Sequence, residues 1–297
     1  MRRKGIILAG GSGQRLDPVT RAVNKHLLPV YDTPMIYFPI CTLMGAGVRE
    51  IVVVTGPRDM ERFVELLGDG SQWGIALEYA IQEQPRGIAE AFLVARDQIE
   101  GRQVALCLGD NLFWGAGLTS RLQRVSQRSE GALIFARQVH DPSAFGVVEL
   151  DSDGRVLAIA EKPLEPRSKL AVPGLYFYDQ DVGELASSLS LSPRGELEIT
   201  ELNRCYLQRG MLCVEQLGPE VSWFDCGTAA SLHEASTRVR EDLERHCIQR
   251  GCPEELALRL NLIEPAEIRA PQNLGNSSYS TYLLNLLERV SGSHRDC

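Results

Sequence analysis

Residues 4–29 read KGIILAGGSGQRLDPVTRAVNKHLLP: an apolar run, a glycine cluster and two separated basic side chains. Ile6-Ile7-Leu8-Ala9 suits a short strand buried on both faces of a parallel sheet. Gly10, Gly11, Ser12 and Gly13 follow directly. Glycines let backbone N–H groups approach an anion and take positive φ angles that other residues resist. Arg15 and Lys25 supply one guanidinium and one ammonium, which together can neutralise a polyphosphate. Two common phosphate motifs do not fit. A dinucleotide fingerprint needs a third glycine where Gln14-Arg15-Leu16 stands, and a P-loop needs Gly-Lys-Ser/Thr, but Lys25 comes too late.

Beyond this stretch, apolar runs alternate with helical patterns. Helices are expected over Pro34–Met44, Asp59–Leu67 and Ile88–Gln98, and strands over Glu50–Thr55, Ala76–Ile81 and Gln103–Leu108. That alternation means βαβ units and a mainly parallel sheet, with ligands bound beyond the carboxyl ends of the strands. Two such ends carry chemistry: the glycine loop after Leu8, and Gly109-Asp110-Asn111 after Leu108. From residue 131 short strands follow (Ala132–Arg137, Gly146–Leu150, Val156–Ala160, Gly174–Tyr178), read as a smaller subdomain laid over the first sheet. Helices are then expected over Glu198–Arg209, from Ala229 to near Arg245, and over Pro253–Leu260 and Ser280–Val290, with a linker at 273–278.

The 297 residues are 44% hydrophobic and 24% charged, a globular mix, with a formal charge of -8. No basic cluster exists, so a nucleic-acid surface is not expected and any phosphate-facing cations must be local. No run approaches the ~20 apolar residues of a membrane span, and the apolar run after Met-Arg-Arg-Lys is too short for a signal peptide. The chain therefore reads as cytoplasmic with no membrane partner. Eight cysteines are irregularly spaced without C-x-x-C, and His246, Cys247 and Cys252 lack the second ligand pair that a zinc site wants.

A strand, then GG-x-G-x-RL, then a lysine before a Leu-Pro step is similar to the pattern of the sugar-1-phosphate nucleotidylyltransferases, and the resemblance covers residues 4–290. It implies an α/β, Rossmann-like nucleotidyltransferase fold: a mainly parallel mixed sheet flanked by helices, with a small sugar-binding β subdomain and C-terminal helices. The expected division is a catalytic domain at 1–245, with 131–200 its sugar-binding part, and a helical region at 246–297 for assembly or regulation. The implied reaction is in-line attack of glucose 1-phosphate on dTTP, giving dTDP-glucose and pyrophosphate, with Mg²⁺ as cofactor and a homotetramer as the assembled form. The same chemistry with UTP or a modified hexose phosphate stays open, as does a silent nucleotide-sugar-binding homologue.

The resemblance carries roles residue by residue. Leu8, Gly10, Gly11, Ser12 and Gly13 would border the nucleotide, with Arg15 and Lys25 on its phosphates. Gln82 would read a pyrimidine edge with one donor and one acceptor, and Gly87 would let the main chain reach the base. Asp110 and Asp225 would hold the metal; taken alone, the first could be a turn aspartate and the second an N-cap, although Thr228 is as good a cap. Glu161-Lys162-Pro163 would hold the sugar and its phosphate, with Pro163 keeping Lys162 extended. Gly146, Val172 and Tyr176 would border the hexose, Arg194 would reach its phosphate, and Asn111 would contact a hydroxyl.

Some positions depart from the family pattern. His26, Phe145 and Pro173 stand where glutamine, tyrosine and threonine are usual. A second, regulatory nucleotide site is traced by Gly115, Cys252, Glu255, Leu256 and Arg259. Thr119-Ser120 replaces an expected His-Glu pair there, and Gly45 replaces a bulky apolar residue. Weakened or altered feedback is the expectation.

Overall fold

The computed structural model describes residues 3–11, 13–268 and 277–292. Ser12 and most of the linker placed at 273–278 therefore lie outside the described residues. In chain order the elements begin β1 (Lys4–Leu8), β2 (Pro29–Val30), β3 (Thr33–Pro34), α1 (Tyr37–Gly45), β4 (Glu50–Thr55), α2 (Met60–Leu67), β5 (Ala76–Ile81), α3 (Glu90–Val94), α4 (Arg96–Ile99), β6 (Val104–Leu108), β7 (Asn111–Gly115) and α5 (Leu118–Ser126). They continue with β8 (Ala132–Gln138), β9 (Gly146–Leu150), β10 (Val156–Glu161), β11 (Leu170–Val172), β12 (Leu175–Tyr178), α6 (Val182–Ser187), α7 (Ile199–Gln208), β13 (Leu212–Leu217), β14 (Val221–Asp225), α8 (Ala229–His246), α9 (Pro253–Arg259) and α10 (Ser278–Gly292).

Strands β6, β1, β4 and β5 lie side by side and parallel, as the βαβ alternation requires. Their buried runs send neighbours to opposite faces: Ile7 and Val53 pack with α1 and α2 residues such as Leu43 and Phe63, while Ile6 and Val52 pack with Phe92 and Leu202 of α3 and α7. The result is a sheet covered by helices on both faces.

The later strands are not laid over this sheet, contrary to the sequence reading. They extend it edge to edge, in the order β10-β9-β11-β8-β12-β6, with β13 also on β8. Tyr178 and Phe177 pair with Val104 and Ala105, so backbone hydrogen bonding is continuous between the two regions. Strand β8 takes β13 on one edge and, on the other, β12 followed by β11, because Arg137 pairs with both Leu217 and Ala171. The sheet thus forks between β11 and β12, at Pro173-Gly174.

Several elements differ from expectation. The helix read over Ile88–Gln98 breaks at Ala95, whose φ −93 and ψ 17 leave the helical well, giving α3 and α4. Strands β2, β3 and β11 carry too few residues to stand out, whereas helix α5 does carry a helical apolar spacing at Leu118, Leu122 and Val125. Strand β7 pairs antiparallel with β14, setting Asn111 opposite Asp225. That pairing is invisible to local pattern.

Within the later region, Asp179, just after β12, ties the start of β8 to α7. Its buried carboxylate accepts from Gly131 N–H and from Tyr206 O–H, both at 2.7 Å. Asp179→Ala is expected to cost about 3 kcal/mol in urea unfolding, because two buried donors lose their acceptor; a loss under about 1 kcal/mol would remove this tie from the account.

Candidate active site

One cavity of about 660 Å³ opens where β1 and β6 end and the sheet forks. It is lined by Leu8, Gly10, Arg15, Lys25, Asp110 and Asn111, and equally by Gly146, Glu161, Lys162, Val172, Tyr176 and Asp225. Residues from both regions therefore share one space. Gly11, Gly13, Gln82, Gly87 and Arg194 stand outside that lining.

The glycine loop turns as its composition requires, with Gly11 at φ +100 and Gly13 at φ +60. Lys25 opens a short 3-10 turn that Asn24 caps. The Asn24 side chain accepts from His26 N–H at 2.9 Å and donates to Ala9 O and to Asp59. His26 is buried with its Nδ1 at 2.8 Å from the same Asn24 oxygen. Burial, reinforced by the Lys25 charge, pushes its pKa down to about 3, so it is neutral and structural at physiological pH. A Cβ on Gly109 would collide with the His26 ring, so a glycine is required directly before Asp110.

The Lys25 ammonium forms a salt bridge with Asp110 Oδ2. Burial alone would raise the Asp110 carboxyl, but Lys25, helped by the Asn111 amide, holds it far below the usual carboxylate range. Asp225 behaves oppositely. Burial and the neighbouring Asp110 charge raise it, only partly opposed by Arg15 and Lys25. The N-cap reading of Asp225 fails because Thr228 caps α8, accepting from Ser231 N–H at 3.2 Å. Nor is Asp110 spent on backbone N–H groups; among the described residues its carboxylate accepts from the Lys25 and Asn111 side chains.

Asn111 is largely occupied. Its oxygen accepts from Gly174 N–H at 2.9 Å and from Trp223 Nε1 at 2.8 Å, pinning the fork of the sheet to β14. Its amide donates one N–H to Asp110 Oδ1 at 3.1 Å, so the expected hydroxyl contact is narrowed to the other N–H. Trp223 was not singled out in the sequence, although the period-2 alternation of β14 sets it on the same side as Asp225. Its ring lies 5.2 Å from that of Phe145.

On the opposite wall Glu161 accepts from Thr200 O–H at 2.6 Å and lies 3.6 Å from Lys162 Nζ. Lys162 is not extended. Its φ is +42, in the left-handed region, and its N–H donates to Phe145 O at 3.0 Å. A lysine there costs about 1–2 kcal/mol, and such strain persists where the surrounding structure enforces it. Arg194 donates to Glu198 at 2.9 Å and to Glu161 at 3.4 Å, so it steadies Glu161 instead of entering the cavity. Thr200 and Asn203, one helical turn apart on α7, also line the cavity. Their i, i+3 spacing was the available sequence signal.

Gln82 follows β5, and its buried amide donates to Glu90 at 2.7 Å and to Gly87 O at 3.4 Å. The donor half expected to read a base is therefore committed, leaving the oxygen. Gly87 has φ +102 and a Cβ there would strike Leu197, so the backbone path needs a glycine.

The second set of residues also converges. Gly115, Cys252, Glu255, Leu256 and Arg259 line a cavity of about 440 Å³ together with Gly45, Thr119 and Ser120. Buried Trp114 Nε1 and Gln249 Oε1, from residues lining it, have no partner among the described residues.

Residues 4–242 match the family described as nucleotidyl transferase. A glucose-1-phosphate thymidylyltransferase of Xanthomonas campestris pv. campestris (strain B100) is 49% identical over 97% of this chain and 98% of its own length. One of Mycolicibacterium smegmatis is 51% identical over 96% and 99%. A solved Bacillus anthracis structure, named for the same activity and in complex with a sucrose, has TM-score 0.76 and 37% identity, covering 85% of this chain and 99% of its own. A UDP-glucose pyrophosphorylase complexed with UDP-glucose has TM-score 0.72 and 25% identity, covering 82% and 100%.

Because the raised Asp225 carboxyl is the costlier form when ionised in the fold, it opposes stability above the ordinary aspartate range. That penalty fades as pH falls through its folded value. Asp225→Asn is accordingly expected to raise the thermal midpoint at pH 7, with the gap to wild type shrinking on acidification. A lower midpoint at pH 7 would refute the repulsion.

Proposed function

We propose that this chain, which belongs to the nucleotidyl transferase family, transfers a thymidylyl group from dTTP to α-D-glucose 1-phosphate, giving dTDP-glucose and pyrophosphate. The observation that carries this is one cavity holding a lysine-neutralised aspartate, a second aspartate and a glycine-loop edge, with Glu161 and Lys162 lining the same space. The names of the relatives, which span nearly this whole chain, support the same activity.

A sugar phosphate oxygen attacks the α-phosphorus in line while pyrophosphate leaves, with no covalent intermediate. Such a reaction asks for positioning and charge neutralisation more than for proton transfer. Lys25 exchanges Asp110 for the triphosphate when nucleotide arrives, and Arg15 steadies the leaving pyrophosphate. Lys162 aims the sugar phosphate, while Glu161, braced by Thr200 and Arg194, accepts from a sugar hydroxyl. Gly146, Val172 and Tyr176 bound the hexose. Leu8, Gly10, Gly11 and Gly13 border the nucleotide, and Gln82 and Gly87 face its base.

Nucleotidyl transferases generally use a divalent metal, and we assign Mg²⁺ to Asp110 and Asp225. Two nearby carboxylates, one of them raised by burial and by the other's charge, fit such an ion. Magnesium commonly takes one or two carboxylates and completes its shell with phosphate oxygens and water. When bound, the ion neutralises charge between the two anionic reactants.

The division into a catalytic part at 1–245, with 131–200 its sugar-binding part, and an assembly or regulatory part at 246–297 belongs to the same proposal, as does a cytoplasmic homotetramer. No described helix is long and apolar enough to cross a membrane. The second cavity, with its orphaned Trp114 and Gln249 atoms, is assigned to a regulatory nucleotide-sugar. Its Gly45 and Thr119-Ser120 wall offers a small, uncharged surface, so feedback by dTDP-rhamnose is weak; inhibition at low micromolar concentration would overturn that.

Pyrophosphate release with dTTP and glucose 1-phosphate should require Mg²⁺, and chelation should abolish it. Asp110→Asn is expected to lower kcat by at least about 10³-fold with the fold intact by circular dichroism; near-normal turnover would refute the metal assignment. Thymine and uracil differ by one methyl group, so UTP should be used with kcat/KM about 10–200-fold below dTTP, and parallel assays of both nucleotides check this.

A further inference from the structure

We propose that Glu90 is a positioning residue that fixes which way round the Gln82 amide is held, and thereby restricts the site to nucleobases with an N–H at the edge they present. This rests on the reading above that Gln82 faces the base.

A carboxylate only accepts hydrogen bonds, whereas a glutamine amide has a donor half and an acceptor half. Glu90 Oε2 lies 2.7 Å from Gln82 Nε2 in a buried pair, and Gly87 O, also an acceptor, lies 3.4 Å from the same nitrogen. Turning the amide over would set its oxygen against two acceptors. The NH₂ must therefore face Glu90, and the oxygen is directed away, beside the glycine loop. There it lies close enough that a Cβ on Gly10 would come within 2.9 Å of it. Among the described residues the hydrogen bonds of the Gln82 side chain are made by its nitrogen.

Glu90 is itself held. Arg86 Nε donates to its Oε1 at 2.9 Å and Arg86 N–H to its Oε2 at 3.2 Å. The carboxylate is therefore tied to the Glu83–Gly87 loop that brings Gly87 into place, and it cannot rotate to release Gln82 at little cost. A fixed lone acceptor pairs with the ring N–H that thymine and uracil carry. Cytosine has a lone pair at that ring position and meets the oxygen with repulsion. A glutamine in place of Glu90 has a donor half of its own, so both orientations of Gln82 become satisfiable and the discrimination is lost.

The test is kcat/KM for dTTP, UTP and dCTP with glucose 1-phosphate in the wild type, Glu90→Gln and Glu90→Asp, with urea unfolding of each. Wild type is expected to favour dTTP over dCTP by about 10⁴-fold, as sites built around one hydrogen bond do. In Glu90→Gln that ratio should shrink at least about 10-fold, chiefly because dCTP is used better, while UTP follows dTTP. Glu90→Asp keeps an acceptor-only partner and should keep the preference even if it is less stable. Equal losses for all three nucleotides in Glu90→Gln would overturn the positioning role and leave the proposed function standing. Loss of the preference in Glu90→Asp would do the same. A wild type inactive with dTTP but active with another nucleotide would instead overturn the proposed function, and this inference with it.

Discussion

The partly buried salt bridge between Lys25 and Asp110 is the constraint around which the site is arranged. Two carboxylates stand near each other where water is scarce, and only adjacent cations make that tolerable. Lys25 holds Asp110 ionised, while Asp225 carries the remaining repulsion as a raised pKa. Much of the neighbourhood serves to keep Lys25 in position. Asn24 caps its turn, neutral His26 fills the space beneath, and Gly109 lets the two segments approach. A site built this way leaves an excess of negative charge at Asp225.

The second constraint is the fork of the sheet. At Pro173-Gly174 one branch runs to β6 and the other toward β9 and β10, so the cleft is a consequence of strand pairing. Asn111 holds this fork by accepting from Gly174 on one side and Trp223 on the other. A cleft made by splitting one hydrogen-bonded sheet places the residues after β1 and β6 and those of β10 and β11 on one continuous framework. Rigid elements of this kind position reacting groups better than loops do.

Much of the site was legible in the sequence. Arg15, Lys25, Asp110, Glu161, Lys162 and Asp225 were marked by resemblance to a family pattern, since alone Asp110 reads equally as a turn residue and Asp225 as a cap, and all six line one cavity. The amide of Gln82 was read as offering both halves to a base, because its partner Glu90 looks like an ordinary helix-start residue. Lys162 was read as extended from the general effect of a following proline, which the hydrogen bond to Phe145 O overrides. For Thr200, Asn203 and Trp223 local spacing shows which side chains share a face, but only the fold shows that this face lines the cavity.

By itself the chain's order of residues determined the strand–loop–helix alternation, the turns that need glycine and the supply of charged groups. All of these follow from backbone sterics and periodicity over a few neighbouring residues. Only the tertiary structure decided the edge-to-edge joining of the two strand sets, the pairing of Lys25 with Asp110 and the double use of Asn111. Those bonds span 85, 63 and 112 residues along the chain. Contacts that distant depend on how complete elements pack and pair, because loop closure brings such residues together only once the sheet itself has formed.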